Sequence, residues 1–425
     1  MANICVIGTG YVGLSCGACL NSIGHDVVCI DIDSDKVEML NSGRIPIMEV
    51  DLEQIVQRGL AAGSLKFTTN LNQGMGSAEF IFLCLATPQS IDGSADLSSL
   101  MSAVESISPL AKSGSIVITK STVPIGSSSE IKRVLNRADV SVASNPEFVR
   151  EGSAVHDFLH PDRIVIGSHS EEISRRVAAI YAAIDAPILM TDPASAEAIK
   201  HASNSYLAVK LSYINAIAIM CELYGADALD VAKGIGLDHR IGSGFFTPGP
   251  GWGGSCFPKD TSALLHMANT KGYEFGILRE AIAVNVEVQN RIIEKICDAV
   301  GGAIHSKKVA VWGLTFKANT DDLRDSPSIE IVSRLLALGA QVYCYDPAVS
   351  EIPALISQAR LAKTAEDSCN GADILLVLTE WPQFAMIKPS QLVTEMSSLQ
   401  VVDCRNILDR VQWMDVGFSY QGLGR

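Results

Sequence analysis

The residue types that could do chemistry concentrate in one segment, Thr247-Pro248-Gly249-Pro250-Gly251-Trp252-Gly253-Gly254-Ser255-Cys256-Phe257-Pro258-Lys259-Asp260. Four glycines and two prolines occupy the eight residues before Cys256. Such a loop exposes backbone N–H groups and admits a ligand close to the main chain. Pro258 suits the first turn of a following helix, which places Cys256 at a helix N-terminus beside Lys259. The helix end and the ammonium both favour a thiolate. Asp260 follows four residues on, within reach. Most cysteines are packed core thiols, but this setting makes Cys256 the expected nucleophile. A thiolate adds to an aldehyde carbon, hydride loss leaves a thioester, and water releases an acid. Alcohol dehydrogenation alone needs no cysteine, so the loop points to oxidation as far as the carboxylate.

A hydride acceptor is expected from Gly8-Thr9-Gly10-Tyr11-Val12-Gly13, which fits G-x-G-x-x-G between a strand and a helix. In such a turn Gly8 permits the tight bend, Gly10 lets backbone approach a pyrophosphate, and Gly13 allows helix and strand to pack closely. Asp31 ends the second strand, where a carboxylate accepts from ribose hydroxyls and repels a 2′-phosphate. No arginine follows closely, and Asp33 and Asp35 add negative charge, so NAD is favoured over NADP. Lys36 could touch the adenosine ribose, although a solvated helix position is its ordinary role.

The elements that must hold these residues follow from periodicity. Strand-like runs occur at 3–8, 26–31, 79–85, 115–119, 140–143 and 163–167, with helical patterns between them, such as 11–23, 35–41, 51–60 and 97–111. Residues 194–224 read as one long apolar helix. A short helix at 226–235, the glycine-rich loop at 242–258, and helices at 259–271 and 277–300 follow. From about 305 the alternation returns, and Lys308–Gly313 and Gln341–Asp346 repeat the opening strand and the Asp31 strand. The expected fold is α/β: two Rossmann-like, doubly wound parallel-sheet domains joined by a helical central domain with a long helix. The expected boundaries are 1–195 for NAD, 196–300 for the central, dimerising domain with the cysteine loop, and 301–425 for the second Rossmann-like domain. Gly313-Leu314-Thr315-Phe316 lacks the glycine triplet, so no second NAD is expected there. The last few residues read as a loose tail.

The chain has 425 residues, 48% of them hydrophobic, and a formal charge of −14. This is the composition of a globular enzyme of two or three domains, and its charge repels nucleic acid and anionic membrane. A phosphorylated substrate therefore needs a locally basic pocket. The eleven cysteines show no CxxC or Cys/His metal spacing, so no metal is expected. Cys5, Cys29, Cys84 and Cys344 lie in strand-like runs and are expected to be buried, reduced thiols. The chain opens directly on a strand, and the stretch 205–224, with Lys210 and Glu222, reads as too polar to span a bilayer. A soluble, cytoplasmic protein is expected.

The sequence resembles the UDP-glucose/GDP-mannose dehydrogenase family along its whole length. The matching stretches are GTGYVGL (8–14), STVPIG (121–126), NPEFVREGSAVHDFLHPDRIVIG (145–167), KHASN (200–204), GGSCFPKD (253–260) and FKANTDDLRDSPS (316–328). The resemblance implies oxidation of a nucleotide sugar's C6 alcohol to a carboxylate, with reduction of two NAD and a thioester on Cys256. It implies that Lys200 and Asn204, one helical turn apart, stabilise the oxyanion. Thr122 and Asp260 would hold the catalytic water, and Glu147 would be a base for thioester hydrolysis. Around NAD it adds Tyr11, Val12, Thr87, Ser121, Thr122, Glu151 and Arg324 to the turn, Asp31 and Lys36. Around the UDP-sugar it adds Phe148, Val149, Arg150, Glu151, Lys200, Asn204, Thr247, Gly251, Trp252, Gly253, Phe316, Lys317 and Arg405. Arg240 resembles an arginine that reaches the neighbouring subunit's substrate in a homodimer built on the central helices.

The chain departs from the family in three places. Met48-Glu49-Val50-Asp51-Leu52 stands for Tyr-Glu-Pro-Gly-Leu, Ala86 for a common glycine, and Trp252 for Tyr or Phe at the sugar end. UDP-glucose is the preferred substrate, with GDP-mannose or a UDP-N-acetylhexosamine as alternatives. A two-electron β-hydroxyacid dehydrogenase, with Cys256 structural, is a different class. A non-catalytic sugar-nucleotide sensor is a third, but it would lack the set Cys256, Lys200, Asn204, Asp260 and Glu147, which is complete here.

Overall fold

A computed structural model describes residues 1–425. The chain divides into two compact units, Met1–Ser203 with Ser262–Tyr273, and Asn204–Thr261 with Glu274–Arg425. The first unit is built on strands β1 (Asn3–Ile7), β2 (Asp26–Ile30), β3 (Leu65–Thr68), β4 (Phe80–Leu83), β5 (Ile116–Thr119), β6 (Ser141–Ser144), β7 (Ile164–Gly167) and β8 (Ile188–Thr191). They form one sheet in the order β3-β2-β1-β4-β5-β6-β7-β8. β4, β5 and β7 are buried on both faces, which is why they read as unbroken apolar runs. β3 and β8 were not among the expected strands. Both are edge strands with exposed positions, Lys66 in β3 and Leu189 and Met190 in β8, so neither carries a continuous apolar signal. The sheet is parallel except where β7 meets β6 antiparallel through the single pair Ser144↔Gly167. The intervening residues are spent on a loop and the six-residue helix Ala154–Leu159, which leaves no full crossover.

The second unit carries β9 (Lys308–Trp312), β10 (Gln341–Tyr345), β11 (Arg360–Leu361), β12 (Ile374–Val377), β13 (Gln400–Asp403) and β14 (Ser419–Gly422). This sheet has the order β11-β10-β9-β12-β13-β14 and is parallel throughout. The C-terminus is docked rather than loose. Beyond β14, Gly424 N–H donates to Glu222, its carbonyl accepts from Ala228 N–H at 2.8 Å, and Arg425 pairs with Asp227 at 3.0 Å. A Cβ on Gly424 would stand 2.4 Å from that of Ala228, so only glycine lets the tail lie so close.

The long helix runs Pro193–Tyr224, within a residue of its expected bounds. By length and composition it passes for a membrane-crossing helix, as the core helix of a soluble protein also does. Its buried polar residues find protein partners instead. Glu197, 3% exposed, accepts from Gly126 N–H (2.6 Å), Ser128 N–H (3.0 Å), Ser128 Oγ (2.6 Å) and Ser144 Oγ (3.1 Å). It thereby caps the helix Ser127–Leu135, whose own N-cap Gly126 has no side chain to do so. Glu197→Ala would strand the buried Ser128 N–H and leave the Ser128 and Ser144 hydroxyls only each other, 2.7 Å apart. It is expected to destabilise the first unit by about 3 kcal/mol or more, with Glu197→Gln costing less, as read by denaturant unfolding followed by circular dichroism.

Candidate active site

The first turn of the first sheet has the three properties its glycines suggested. Gly8 sits at φ +91 and donates to Ile30 O at 2.8 Å. A Cβ on Gly13 would meet Gly8 O at 1.9 Å, so helix and turn interlock, whereas one on Gly10 would meet nothing within 4 Å. That open face, at the N-terminus of the helix Tyr11–Ser22, is where an anion fits. Asp31 is reached by Thr9 N–H (2.9 Å), Thr9 Oγ1 (2.6 Å) and Lys36 Nζ (3.2 Å). Burial alone would raise its carboxyl pKa, but these bonds and Asp33 N–H outweigh burial and hold it below the ordinary carboxylate value. Lys36 is thus a partner of Asp31 rather than a freely solvated helix lysine. Ile32, next in sequence, is 99% exposed, an apolar surface that the sequence reading passed over. Tyr11 OH bonds Glu49, which accepts from Gly152 N–H at 2.9 Å. The altered stretch 48–52 keeps a left-handed residue where the family has glycine: Asp51 has φ +63.

Thr87, Ser121 and Thr122 converge beyond the ends of β4 and β5. Thr87 Oγ1 donates to Thr122 O at 2.8 Å, and Ser121 Oγ to Leu85 O at 2.7 Å. Lys200 is no solvated lysine. Its ammonium lies 2.9 Å from Glu147 Oε1, and the two side chains are 4% and 6% exposed. Glu147 Oε2 accepts from Val149 N–H at 2.7 Å. Phe148 presents its ring to Lys200 (5.4 Å) and to Arg163 (3.7 Å). Beneath them Lys120 donates to Asn145 Oδ1 at 3.0 Å, and burial lowers its pKa. Asn145 also accepts from Tyr181 OH (2.5 Å) and donates to Val165 O (2.8 Å), holding the strand end from which Glu147 projects. Lys120 and Asn145 escaped the sequence reading, since nothing local marks a lysine as buried. Glu151 is half-buried beside this loop, and Arg150 turns to Asp157 at 2.6 Å.

In the second unit Cys256 immediately precedes the helix Phe257–Thr270, and its carbonyl accepts Asp260 N–H at 3.0 Å. Pro258 lies in the first turn, as the sequence suggested. All cysteines but Cys256 and Cys297 are buried, so composition hides what exposure separates. Burial raises the pKa of Cys297. Asp260, 2% exposed, takes Asn204 Nδ2 on one oxygen (2.6 Å) and Lys259 Nζ on the other (2.5 Å). Asn204 therefore orients Asp260. Trp252 packs against the long helix. It is 7% exposed and turns its indole N–H to Ser212 Oγ on the long helix at 2.9 Å.

Further along this unit, Arg405 donates to Leu378 O (2.8 Å) and Phe316 O (2.9 Å) and lies beside Gly249. Lys317 Nζ stands 5.6 Å from the Phe316 ring centre, and that ring packs against Gly254. Gly253 fits because a Cβ there would lie 2.0 Å from Asp325 O. These residues gather around the cysteine loop. Thr247, Arg240 and Arg324 have exposed side chains, Arg240 paired with Asp238 (2.6 Å) and Arg324 with Asp322 (2.7 Å). The turn of the second sheet repeats the first with its space filled. Gly313, φ +97, donates to Tyr345 O at 2.8 Å, but Thr315 occupies the register of Gly10 and is fully buried. Asp346 is saturated by Leu314 N–H, Thr315 N–H, Thr315 Oγ1 and Trp381 Nε1.

Residues 2–185, 194–287 and 310–410 match, in order, the NAD binding, central and UDP binding domains of the UDP-glucose/GDP-mannose dehydrogenase family. A UDP-glucose 6-dehydrogenase of Bacillus subtilis is 42% identical, covering 100% of this chain and 98% of that protein. One from Rhizobium meliloti is 41% identical over 99% of each. The solved structure of a UDP-glucose dehydrogenase from Pyrobaculum islandicum superposes with a TM-score of 0.92 at 34% identity, covering 100% of this chain and 98% of that one.

The glycine geometry separates packing from binding. Gly13→Ala is expected to unfold the turn and lower thermal stability. Gly10→Ala is expected to leave thermal stability unchanged yet weaken NAD at least about tenfold, near 1.4 kcal/mol, in a fluorescence titration.

Proposed function

This chain belongs to the UDP-glucose/GDP-mannose dehydrogenase family, and we propose that it oxidises the C6 alcohol of UDP-glucose to the carboxylate of UDP-glucuronate. The observation that carries the reading is Cys256, half-buried at a helix N-terminus in a chain matched end to end by UDP-glucose 6-dehydrogenases. NAD accepts the hydride in each of two oxidations. The alcohol first loses hydride and a proton to give the aldehyde. The Cys256 thiolate then forms a C–S bond to the aldehyde carbon, whose oxygen becomes an oxyanion. Loss of the C6 hydride leaves a thioester. Water adds to it, the C–S bond breaks, and the carboxylate departs with the thiol restored.

Lys200 supplies the positive charge for the developing oxyanion, and Asn204 an amide donor one turn on. Glu147 is the base for the hydrolytic water, which Thr122 and Asp260 hold. Gly8, Gly10 and Gly13 with Tyr11 and Val12 receive the pyrophosphate, and Asp31 with Lys36 the adenosine ribose. Ile32 offers the adenine an apolar wall. Thr87, Ser121, Glu151 and Arg324 border the nicotinamide. The Phe148–Glu151 backbone and Thr247–Gly253 line the sugar, while Phe316, Lys317 and Arg405 take the nucleotide, their cations offsetting an acidic chain. The boundaries 1–195, 196–300 and 301–425 assign these tasks to cofactor, dimer and nucleotide-sugar domains. The packed Thr315, which stands where the first turn has Gly10, argues against a second NAD in the last of them.

Tyr206, Tyr213 and Met220 recur every seven residues on the long helix, with Leu223 beside them, all exposed. A stripe of that period suits helix pairing between two copies. It supports a homodimer in which Arg240 reaches the partner's substrate. The same pairing accounts for the helix's apolar face without lipid and favours a soluble, cytoplasmic enzyme. Tyr213→Asp is expected to yield monomers in sedimentation velocity, and an unchanged dimer would refute the stripe.

The reaction itself is tested by stoichiometry. Two NADH per UDP-glucose are expected, and one would refute the thioester route. Cys256→Ser is expected to bind NAD normally but lose at least about a thousandfold in turnover, some 4 kcal/mol, stalling at the aldehyde level in mass spectrometry.

A further inference from the structure

The loop before Cys256 is rich in glycine and, left alone, would sample many conformations. It is held at one point by an amide that no step of the reaction uses. Asn285 lies on the helix Gly276–Ala299 and is 9% exposed. Its Oδ1 accepts from Trp252 N–H at 2.8 Å, and its Nδ2 donates to Trp252 O at 3.0 Å. One side chain thus satisfies both backbone polar groups of a residue four positions before the nucleophile. Gly251 makes room for it. The φ there is +114, and a Cβ would lie 2.7 Å from Asn285 Oδ1.

Two residues of the long helix support the same stretch. Asn215 Oδ1 accepts from Gly249 N–H at 2.9 Å. Ser212 Oγ accepts from Trp252 Nε1 and donates to Ala281 O at 2.6 Å. Both are almost fully buried. Beyond Trp252, Gly254 N–H donates to Arg324 O at 3.1 Å. Asn285 grips the loop where its glycines leave it most free, between the Asn215 anchor and the Arg324 anchor.

We propose that Asn285, supported by Asn215 and Ser212, is a positioning residue that sets where the Cys256 sulfur lies. The proposal rests on the thioester reading given above. It has a consequence that a merely structural role lacks. Only the second oxidation needs the thiolate, so a displaced sulfur should harm that step and spare the first. Misplacement by even an ångström is enough to slow a bond-forming step.

In the full-length protein, Asn285→Ala is expected to lower kcat roughly ten- to a hundred-fold. NADH formed per UDP-glucose consumed should fall from two toward one, with the aldehyde trapped by hydroxylamine as its oxime and NAD affinity unchanged. Asn285→Asp keeps the acceptor for Trp252 N–H but loses the donor to its carbonyl, and should fall between. Asn215→Ala should show the same signature more weakly, and it carries the test if Asn285→Ala does not fold. Loss of folded protein alone scales both oxidations together and leaves the ratio at two. A ratio of two in every variant that folds overturns the proposal. A ratio of one in the unaltered enzyme overturns the thioester reading instead.

Discussion

A polar group taken out of water must find a partner, and the long helix Pro193–Tyr224 buries a succession of them. Up to Ser203 the partners lie in the first unit. Glu197 takes the start of the helix Ser127–Leu135, Lys200 takes Glu147, and His201 takes Val123 O at 2.9 Å. From Asn204 onward they lie in the second: Asn204 takes Asp260, Ser212 takes Ala281 O and Trp252, and Asn215 takes Gly249. An unpartnered charge among these would cost several kcal/mol. The groups proposed for chemistry, Lys200 and Asn204, are therefore held by the same requirement that holds the helix.

Glycine does different work in the two Rossmann-like turns and in the cysteine loop. In the first turn Gly13 removes a clash and Gly10 leaves a vacancy. In the second turn the tight bend survives at Gly313 while Thr315 and Trp381 fill the space. Strand, turn and acidic residue are kept, and both Asp31 and Asp346 accept from the backbone of their own turns. In the cysteine loop Gly251 and Gly253 admit Asn285 and Asp325, and the freedom they introduce is removed by buried amides. A flexible sequence becomes a fixed approach to Cys256 because its surroundings are rigid.

The sequence by itself determined what depends on residues close in the chain. The G-x-G-x-x-G turn with Asp31, the doubly covered strands, the long helix and the placing of Cys256 before a Pro258 helix all follow from turn chemistry and periodicity within a few residues. Family motifs added the names of distant partners. Tertiary structure alone decided the pairings. Lys200 meets Glu147 across 53 residues, and Asn285 meets Trp252 across 33. The edge strands β3 and β8, the reversed β7, the docked tail at Gly424 and the inward turn of Trp252 were likewise settled only in three dimensions. The physical reason is common to them. A backbone turn is chosen by its own residues, whereas burial, and with it the need for a partner, is a property of what packs on top.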